Sequence, residues 1–382
     1  HPLGSQTDVT SAPAPELYIG LMSGTSLDGV DAVLAEFCGP RCAVLGHHAA
    51  PFDAATRTEL LALNTPGTNE LHRAALAANA LARSYAHAVH ALLAQHGLPA
   101  TAVRAVGAHG QTVRHRPGEF DGTGYTLQLN SPALLAELTG ITVVADFRSR
   151  DVAAGGQGAP LVPAFHQHMF GQPGQGLLVL NIGGIANLSV LDATGKVLGF
   201  DCGPGNALMD HWCQQHTGQP FDRDGAWAAC GQVLPGLLAS LRDEPFLQQP
   251  PPKSTGRDLF NPQWLQERLQ RFGPAAPEDV QATLTELTAS ACAASVSSYQ
   301  KESRRLAVCG GGAYNRHLMA RLQALLPGLQ VETTEAHGLP PLQVEAAAFA
   351  WLARQTLHGL PGNLPNATGA RGARVLGGIY PA

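Results

Sequence analysis

The strongest constraint on the fold is a junction between an apolar strand and a glycine-rich turn, which occurs three times in this 382-residue chain. Residues 18–37 predict two short apolar strands joined by a polar turn, and residues 177–188 and 306–315 repeat the pattern. Because glycine leaves backbone N–H groups unobstructed, such turns can hold an anion. A single turn of this length is equally well explained as an ordinary hairpin. Three such junctions predict three contacts to one nucleotide.

The familiar phosphate-binding motifs are absent from the sequence of these turns. None has the spacing G-x-x-x-x-G-K-[ST], and none shows G-x-G-x-x-G opening a helix. A P-loop and a Rossmann cofactor fold are therefore not supported, and another phosphate-binding architecture is required. In the first turn, Asp28 and Asp31 add carboxylates that could sit near a nucleotide-bound Mg²⁺.

Six longer strings are specific enough to compare with known families. They are MSGTSLDGVD (22–31), HGQTV (109–113), GGQGAPLVPAFH (155–166), NIGGIANLS (181–189), GPGN (203–206) and PKSTGR (252–257). Together with DVQATL, CGGG and GNLP further along, and in this order, they resemble the anhydro-N-acetylmuramic acid kinase family. The resemblance covers nearly everything from residue 18 to the C-terminus.

This resemblance implies an α/β fold of the actin, heat-shock chaperone and sugar-kinase superfamily. Two related actin-like (ribonuclease H-like) domains would face each other across a nucleotide cleft, and the second half of the chain does repeat the strand, turn and return strand of the first. We expect domain I, with the first phosphate hairpin, at residues 17–146 plus 350–382. Domain II, with the second hairpin, the adenosine loop and the catalytic aspartate, is expected at 147–349. Residues 1–16, which open with HPLGS, predict a protease-site remnant and a disordered lead-in.

The resemblance implies that ATP, with Mg²⁺, is held by all three turns, the first two clamping the phosphates and the third lying near adenosine. The expected nucleotide contacts are Gly24, Thr25, Ser26, Leu27, Asp28, Gly29, Val30, Asp31, Asn181, Gly183, Gly184, Gly310, Gly311, Gly312 and Asn315. No residue is predicted as a metal ligand, because the helical pair His87 and His90 lacks a supporting carboxylate or cysteine.

Two carboxylates are the expected catalytic residues. Asp201 ends an apolar strand before a helix that begins near Asn206, and from the residues alone it predicts a helix cap. The resemblance makes it the catalytic aspartate, and beside a helix N-terminus we expect it to stay solvated and ionised, as a base must. Glu345 lies in the first turn of a predicted helix, where a surface role is usual, and the resemblance makes it the second functional carboxylate. Cys202 departs from the family pattern, in which threonine is expected.

The expected sugar contacts are His109, Gln111, Arg148, Arg150 and Gly156. His109 and Gln111 follow a predicted strand, and without the resemblance a hydrogen-bonded loop is favoured. Arg148 and Arg150 could be structural ion-pair partners or could hold an acidic sugar substituent bidentately, and the sequence leaves both open.

The expected function is an ATP-dependent kinase that hydrolytically opens 1,6-anhydro-N-acetylmuramic acid and phosphorylates O6, giving N-acetylmuramic acid 6-phosphate and ADP in peptidoglycan recycling. The alternatives are a regulatory or chaperone-like ATPase of the same superfamily, a generic hexose kinase and a metal-dependent hydrolase, although no H-x-x-x-H occurs.

A net charge of -5 argues against nucleic acid as a partner, and without an 18-residue apolar run we expect no membrane partner. Seven cysteines without a C-x-x-C pair predict reduced thiols in the cytoplasm. A homodimer is left open.

Overall fold

The computed structural model describes residues 13–382, so most of the expected lead-in, residues 1–12, lies outside the described residues. The strands are β1 Glu16–Met22, β2 Gly29–Cys38, β3 Arg41–Pro51, β4 Val103–Ala108, β5 Gln111–Pro117, β6 Gly124–Leu129, β7 Val143–Ala145, β8 Leu177–Ile182, β9 Ile185–Leu191, β10 Val197–Pro204, β11 Arg305–Cys309, β12 Gln330–Thr333 and β13 Gly378–Tyr380. The α-helices are α1 Ala54–Ala62, α2 Glu70–His96, α3 Pro132–Thr139, α4 Ser149–Ala153, α5 Val162–Phe170, α6 Ala207–Thr217, α7 Ala226–Cys230, α8 Pro235–Arg242, α9 Pro262–Phe272, α10 Pro277–Tyr299, α11 Arg316–Leu325, α12 Val344–Leu357 and α13 Pro365–Thr368.

Two mixed sheets that share the order of five strands form the frame of the molecule, and β13 is an additional edge strand of the first sheet. In domain I the order is β3-β2-β1-β4-β7-β13, with β1, β2 and β3 antiparallel and with β4 and β7 parallel to β1. In domain II the order is β10-β9-β8-β11-β12, again with three antiparallel strands followed by parallel neighbours of the first. This repeated arrangement confirms the predicted fold of two related actin-like, ribonuclease H-like domains.

Helix α12 packs directly on the first sheet and forms a buried cluster with residues of both sheets. Its alanines at 346–348 and 350 are fully buried, and two sheet glycines let its backbone approach closely. A Cβ on Gly20 would lie 1.7 Å from the Ala346 carbonyl oxygen, and one on Gly107 would lie 2.1 Å from that of Phe349. The predicted domain boundary between residues 349 and 350 falls inside this continuous helix, and we propose that the boundary precedes Val344.

The long helix α10 supports the cleft from the domain II side. It is buried without interruption from Val280 to Ala293, and Thr288 Oγ1 donates to the carbonyl oxygens of Pro204 and Gly205 at 3.0 and 2.6 Å. These bonds fix the turn that follows β10, and therefore the end of the strand that carries Asp201. Despite the length of α2 and α10, no helix within residues 13–382 is long and apolar enough to cross a membrane.

Candidate active site

A cleft of about 1160 Å³, including its open mouth, lies between the two sheets. It is bordered by the β1–β2 turn, the β8–β9 turn and the start of the turn after β11, which are the three glycine-rich turns of the sequence. The fold therefore brings together three segments that are separated by more than a hundred residues each along the chain. Glycine-rich turns from both sheets border one cleft, and such turns can hold a polyphosphate.

The first two hairpins touch each other across the cleft. Thr25 Oγ1 accepts a hydrogen bond of 2.9 Å from the backbone N–H of Ile185. Gly184 lies so close to the first hairpin that a Cβ on it would come within 2.4 Å of the Thr25 backbone. By contrast, a Cβ on Gly24 or Gly183 would meet no atom within 3.5 Å. Those two glycines therefore present bare backbone to the cleft.

Three polar side chains form a row across the second sheet. Asn181 on β8 is paired in register with Asn187 on β9, and Asn187 is paired with Asp201 on β10. Directly paired residues point to the same face of a sheet, so all three side chains face the cleft. The Asn181 amide donates a hydrogen bond to Glu345, which comes from the first turn of α12. Both expected catalytic carboxylates therefore line one wall.

The environment of Asp201 differs from the sequence prediction. We expected a solvated carboxylate, but the side chain is only 5% exposed and burial raises its pKa to about 7. A 2.9 Å hydrogen bond from the Thr255 N–H, together with the charges of Arg148 and Lys253, favours the carboxylate form. The nearby Glu345 opposes it, because two carboxylates repel each other. The expectation that dipoles at a helix N-terminus would keep this carboxyl ionised was wrong, because the strand end is buried by the segment that contains Thr255 and burial raises the pKa.

Arg148 is a fixed cation beside the two carboxylates. Its Nε and Nη2 donate to His109 Nε2 at 3.3 and 2.9 Å, and its Nη1 donates to the Gly158 carbonyl oxygen at 3.0 Å. His109 is neutral, because burial lowers its pKa to about 3. Its Nδ1–H then donates to the Gly110 carbonyl oxygen, which leaves Nε2 as the acceptor for Arg148. Both ring nitrogens of His109 are thus used within the protein.

Most of the predicted site residues line this cleft. Those that do are Gly24, Thr25, Ser26, Asp28, Gly29, Asp31, His109, Arg148, Asn181, Gly183, Gly184, Asp201, Gly310, Gly311 and Glu345.

Four predicted nucleotide contacts lie outside the cleft lining. Leu27 and Val30 are buried in apolar clusters beneath the first hairpin. Gly312 is pressed against Ile182, whose side chain a Cβ would meet at 2.4 Å, and Asn315 caps α11 by accepting from the Leu318 N–H at 2.9 Å. In each motif the string contains both contact and packing residues, and the sequence alone does not separate them.

Three predicted sugar contacts also lie outside the lining. The Gln111 amide donates to the Gly24 carbonyl oxygen at 3.1 Å, so it supports the first hairpin. Arg150 is exposed, since two residues along a helix turn a side chain to nearly the opposite face from Arg148. Gly156 is buried against Asp151, whose Oδ2 a Cβ would approach within 2.2 Å. Arg150 therefore does not join Arg148 in the cleft.

Several cleft residues were missed by the sequence prediction. Asn187 could have been found, because it stands symmetrically with Asn181 around the glycine pair of the second hairpin. Thr255 belongs to the PKSTGR string, but nothing in the spacing shows that it meets Asp201, 54 residues away. The remaining missed lining residues are Met22, Thr112, His115, Gln128, Ala159, Pro160, Leu161, Val162, Ile185, Gly256, Pro341, Leu342 and Ala346.

Comparisons with known proteins give one family. The family model for anhydro-N-acetylmuramic acid kinase matches residues 16–382. A protein of that name from Variovorax paradoxus (strain S110) is 69% identical over 97% of this chain and 100% of its own length. Another, from Albidiferax ferrireducens, is 66% identical over 96% of this chain and 100% of its own length. Solved structures are more distant. A chain of the PilM-PilN type IV pilus biogenesis complex is 12% identical to this chain, with a TM-score of 0.45, and the match covers 87% of this chain and 97% of the PilM-PilN chain.

Proposed function

Because the chain belongs to the anhydro-N-acetylmuramic acid kinase family, we propose that Asp201 is the general base of that family's reaction. As a member, the chain is an ATP-dependent sugar kinase of peptidoglycan recycling. It opens 1,6-anhydro-N-acetylmuramic acid and phosphorylates O6, giving N-acetylmuramic acid 6-phosphate and ADP. The observation that carries the role of Asp201 is its position, between the two glycine hairpins and beside the fixed cation Arg148.

The substrate explains why a base must act on water. In the anhydro sugar O6 is part of an ether and carries no proton, so it cannot be deprotonated as a free hydroxyl is in an ordinary kinase. Asp201 takes a proton from water as the water oxygen bonds to C1 and the C1–O6 bond breaks. O6 bonds to the γ-phosphorus of the co-substrate as the bond to the ADP oxygen breaks. The phosphoryl group accepts the leaving oxygen, so no acid partner like that of an ordinary glycosidase is required.

The pKa of Asp201 suits this role. A general base works best when its pKa lies near the working pH, because it is then both deprotonated and basic enough. Burial raises the pKa of Asp201, and the Thr255 N–H and Arg148 keep that pKa from rising further. A fully solvated aspartate, with a pKa of about 3.9, would be a much weaker base.

Arg148 and Glu345 are the other two residues that we assign to the reaction. Burial raises the pKa of Glu345, while the Asn181 amide and Arg148 stabilise its charge. We assign Arg148 to negative charge on the substrates, either the lactyl carboxylate of the sugar or the transferring phosphoryl group. Glu345 is the second functional carboxylate and helps to orient Arg148. Arg150 is dropped from this assignment because it lies outside the cleft lining.

ATP fits the residues of the three turns, with the bare backbone at Gly24 and Gly183 suited to phosphate. The third turn, at Gly310 and Gly311, is assigned to the adenosine side. Bound ATP supplies the phosphoryl group, and Mg²⁺ would neutralise its charge beside Asp28 and Asp31. Mg²⁺ is usually held by one or two carboxylates plus substrate phosphates, and Asp28 and Asp31 are two carboxylates at the cleft. Within residues 13–382, no group of three or more His, Cys, Asp or Glu could hold a metal ion alone.

We also propose a cytoplasmic enzyme, supported by seven cysteines that are all free thiols. A homodimer is a separate proposal, tested by the molar mass in light scattering.

The role of Asp201 is tested by Asp201→Asn, which keeps the shape of the side chain and removes its basicity. We expect turnover with the anhydro sugar to fall by about 10²- to 10⁴-fold. The matched control is Asp243→Asn, the same change at an exposed position after α8, which should leave turnover unaltered. Near-normal turnover of Asp201→Asn would overturn the proposed role.

A further inference from the structure

A segment of domain II, residues 252–258, connects the catalytic aspartate to domain I. We call it the bridging loop. Towards domain II it holds Asp201 at two points: the Asp201 N–H donates to the Lys253 carbonyl oxygen at 3.1 Å, and the Thr255 N–H donates to Asp201 Oδ2 at 2.9 Å. The second bond is made to one of the two oxygens of the carboxylate that we propose as the base.

The same loop is bound to domain I through the β5–β6 hairpin. Asp258 Oδ2 accepts from the His115 N–H at 3.2 Å and forms a 3.0 Å ion pair with Arg116 Nε. Ser254 Oγ lies 2.7 Å from His115 Nε2. Asp258 is only 5% exposed, whereas Arg116 is 37% exposed. The ion pair is therefore partly shielded from water and stronger than a surface pair.

The charges that face these groups are few. Burial lowers the pKa of His115 to about 3, so His115 is neutral and Arg116 supplies the positive charge opposite Asp258. Glu119, the other acid near Arg116, lies 3.8 Å from it and is 47% exposed. Asp201 is faced by Arg148 from the start of α4, by Glu345 from α12 and by Lys253 from the bridging loop itself.

We propose that Asp258 is a positioning residue for the general base: it fixes the bridging loop against the β5–β6 hairpin and so keeps the Thr255 N–H on the Asp201 carboxylate. This inference rests on the proposed role of Asp201. Asp258 touches neither the sugar nor the nucleotide in this assignment, and it acts through Thr255. When the two domains come together, its ion pair with Arg116 links that closure to the alignment of the base.

A purely structural role of Asp258 would leave the pKa of Asp201 unchanged, whereas a positioning role would not. A hydrogen bond to a carboxylate stabilises the charged form, so loss of the Thr255 bond raises the pKa of Asp201. The base is active when deprotonated, and turnover is lost as the pH falls through its pKa. Loosening the loop must therefore move the acidic limb of the kcat/KM profile to higher pH, and turnover should recover in alkaline solution.

The experiment compares kcat/KM for the anhydro sugar against pH, for wild type and Asp258→Ala. Partial loss of a hydrogen bond to the charged carboxylate shifts the acidic limb by about one pH unit. We expect kcat/KM to fall about tenfold near pH 6 and to change little near pH 9. Glu119→Gln is the matched control, because it removes the other partner of Arg116 and leaves the loop contact intact. The pH profile of Glu119→Gln should coincide with that of wild type.

An acidic limb that moves to higher pH in Asp258→Ala, and also in the milder variant Arg116→Gln, supports the positioning role. If kcat/KM falls equally at every pH, or if the acidic limb stays at the same pH, Asp258 is not a positioning residue for the base. Arg116→Gln keeps the test decisive if Asp258→Ala does not fold, as judged by thermal unfolding. Asp201→Asn distinguishes this proposal from the proposed function. Near-normal turnover of Asp201→Asn rejects the role of Asp201 as the base. If Asp201→Asn is inactive but the acidic limb of Asp258→Ala lies at the wild-type pH, only the positioning role of Asp258 is rejected.

Discussion

The proposed role of Asp201 depends on its environment more than on its residue type. The sequence predicts this aspartate at a strand end, and the structure buries it under the bridging loop beside Arg148. Burial makes the carboxyl a stronger base, and the neighbouring donors and cations keep it ionisable near neutral pH. Its surroundings come from segments that are distant along the chain, so sequence reasoning predicted the residue and not its pKa.

The first prediction concerns the acidic limb of the kcat/KM profile, which reports the pKa values of the free enzyme. Because the pKa of Asp201 is raised to about 7, kcat/KM should decline as the pH falls below that value, approaching tenfold per pH unit. Steady-state rates between about pH 5 and pH 9, in buffers of constant ionic strength, measure it. A profile that stays flat down to about pH 5 would show that the base is an ordinary solvated carboxyl or another group.

Cys202→Thr tests the departure from the family pattern. Cys202 is 2% exposed and belongs to the apolar core of domain II, so its side chain does not line the cleft. We expect kcat/KM to change by less than about tenfold, while the free energy of unfolding falls by about 1–3 kcal/mol because a hydroxyl is buried in the core.

Denaturant unfolding and steady-state kinetics measure the two effects of Cys202→Thr separately. A loss of activity beyond about a hundredfold, roughly 2.7 kcal/mol, would show that Cys202 contributes to the reaction.

Among the elements, the strands next to the glycine-rich turns were predictable from the sequence, whereas strand β5, which also borders the cleft, was not. The first two turns are the β1–β2 and β8–β9 hairpins, and the third follows β11, as the apolar runs indicate. Residues 109–111 were predicted as a loop, but Gln111 begins β5, which pairs with β6. The polar side chains of β5 give no apolar run, and only pairing with β6 makes this segment a strand. His115, and with it the anchor of the bridging loop, was missed for the same reason.

Close packing between α12 and the first sheet leads to a prediction for Gly20→Ala. The added Cβ would meet the Ala346 carbonyl oxygen, which is backbone and cannot move without shifting α12. We expect a loss of about 1–3 kcal/mol, or more, in the free energy of unfolding, as for other overpacked cores. Denaturant unfolding measures it.

Gly67→Ala is the control for Gly20→Ala, because Gly67 is exposed and its new Cβ would approach only the flexible end of Arg73. If the two variants are equally stable, the close approach of α12 is not needed for the fold.

At the scale of the whole molecule, the cleft exists because two copies of one sheet topology face each other. The echo between the halves of the sequence was enough to predict that arrangement. The boundary that we propose before Val344 differs from the predicted one, because α12 follows the strands of the second sheet in sequence while it packs on the first sheet. Contacts such as that between Thr25 and Ile185 join the hairpins directly, so the described structure has the first two glycine-rich turns together.

Ligand-dependent closure follows from this arrangement. The first two glycine-rich turns come from opposite sheets, and we propose that both contact one nucleotide, so we expect the protein to become more compact with a nonhydrolysable ATP analogue plus sugar. Small-angle scattering measures the radius of gyration with and without the ligands. An unchanged scattering profile at saturation would count against a hinge between the domains.

In the proposed mechanism Asp201 activates water for attack at C1 while O6 leaves to the phosphoryl group. The reaction is therefore run in ¹⁸O-labelled water, and the label is located by mass spectrometry. Because a reducing sugar exchanges its C1 oxygen slowly, the unlabelled product is kept in the same labelled water for the same time as a control. The predicted result is label at C1 well above that control, with none in the transferred phosphate. Label in the phosphate of the product, or none at C1 beyond the exchange control, would contradict the mechanism.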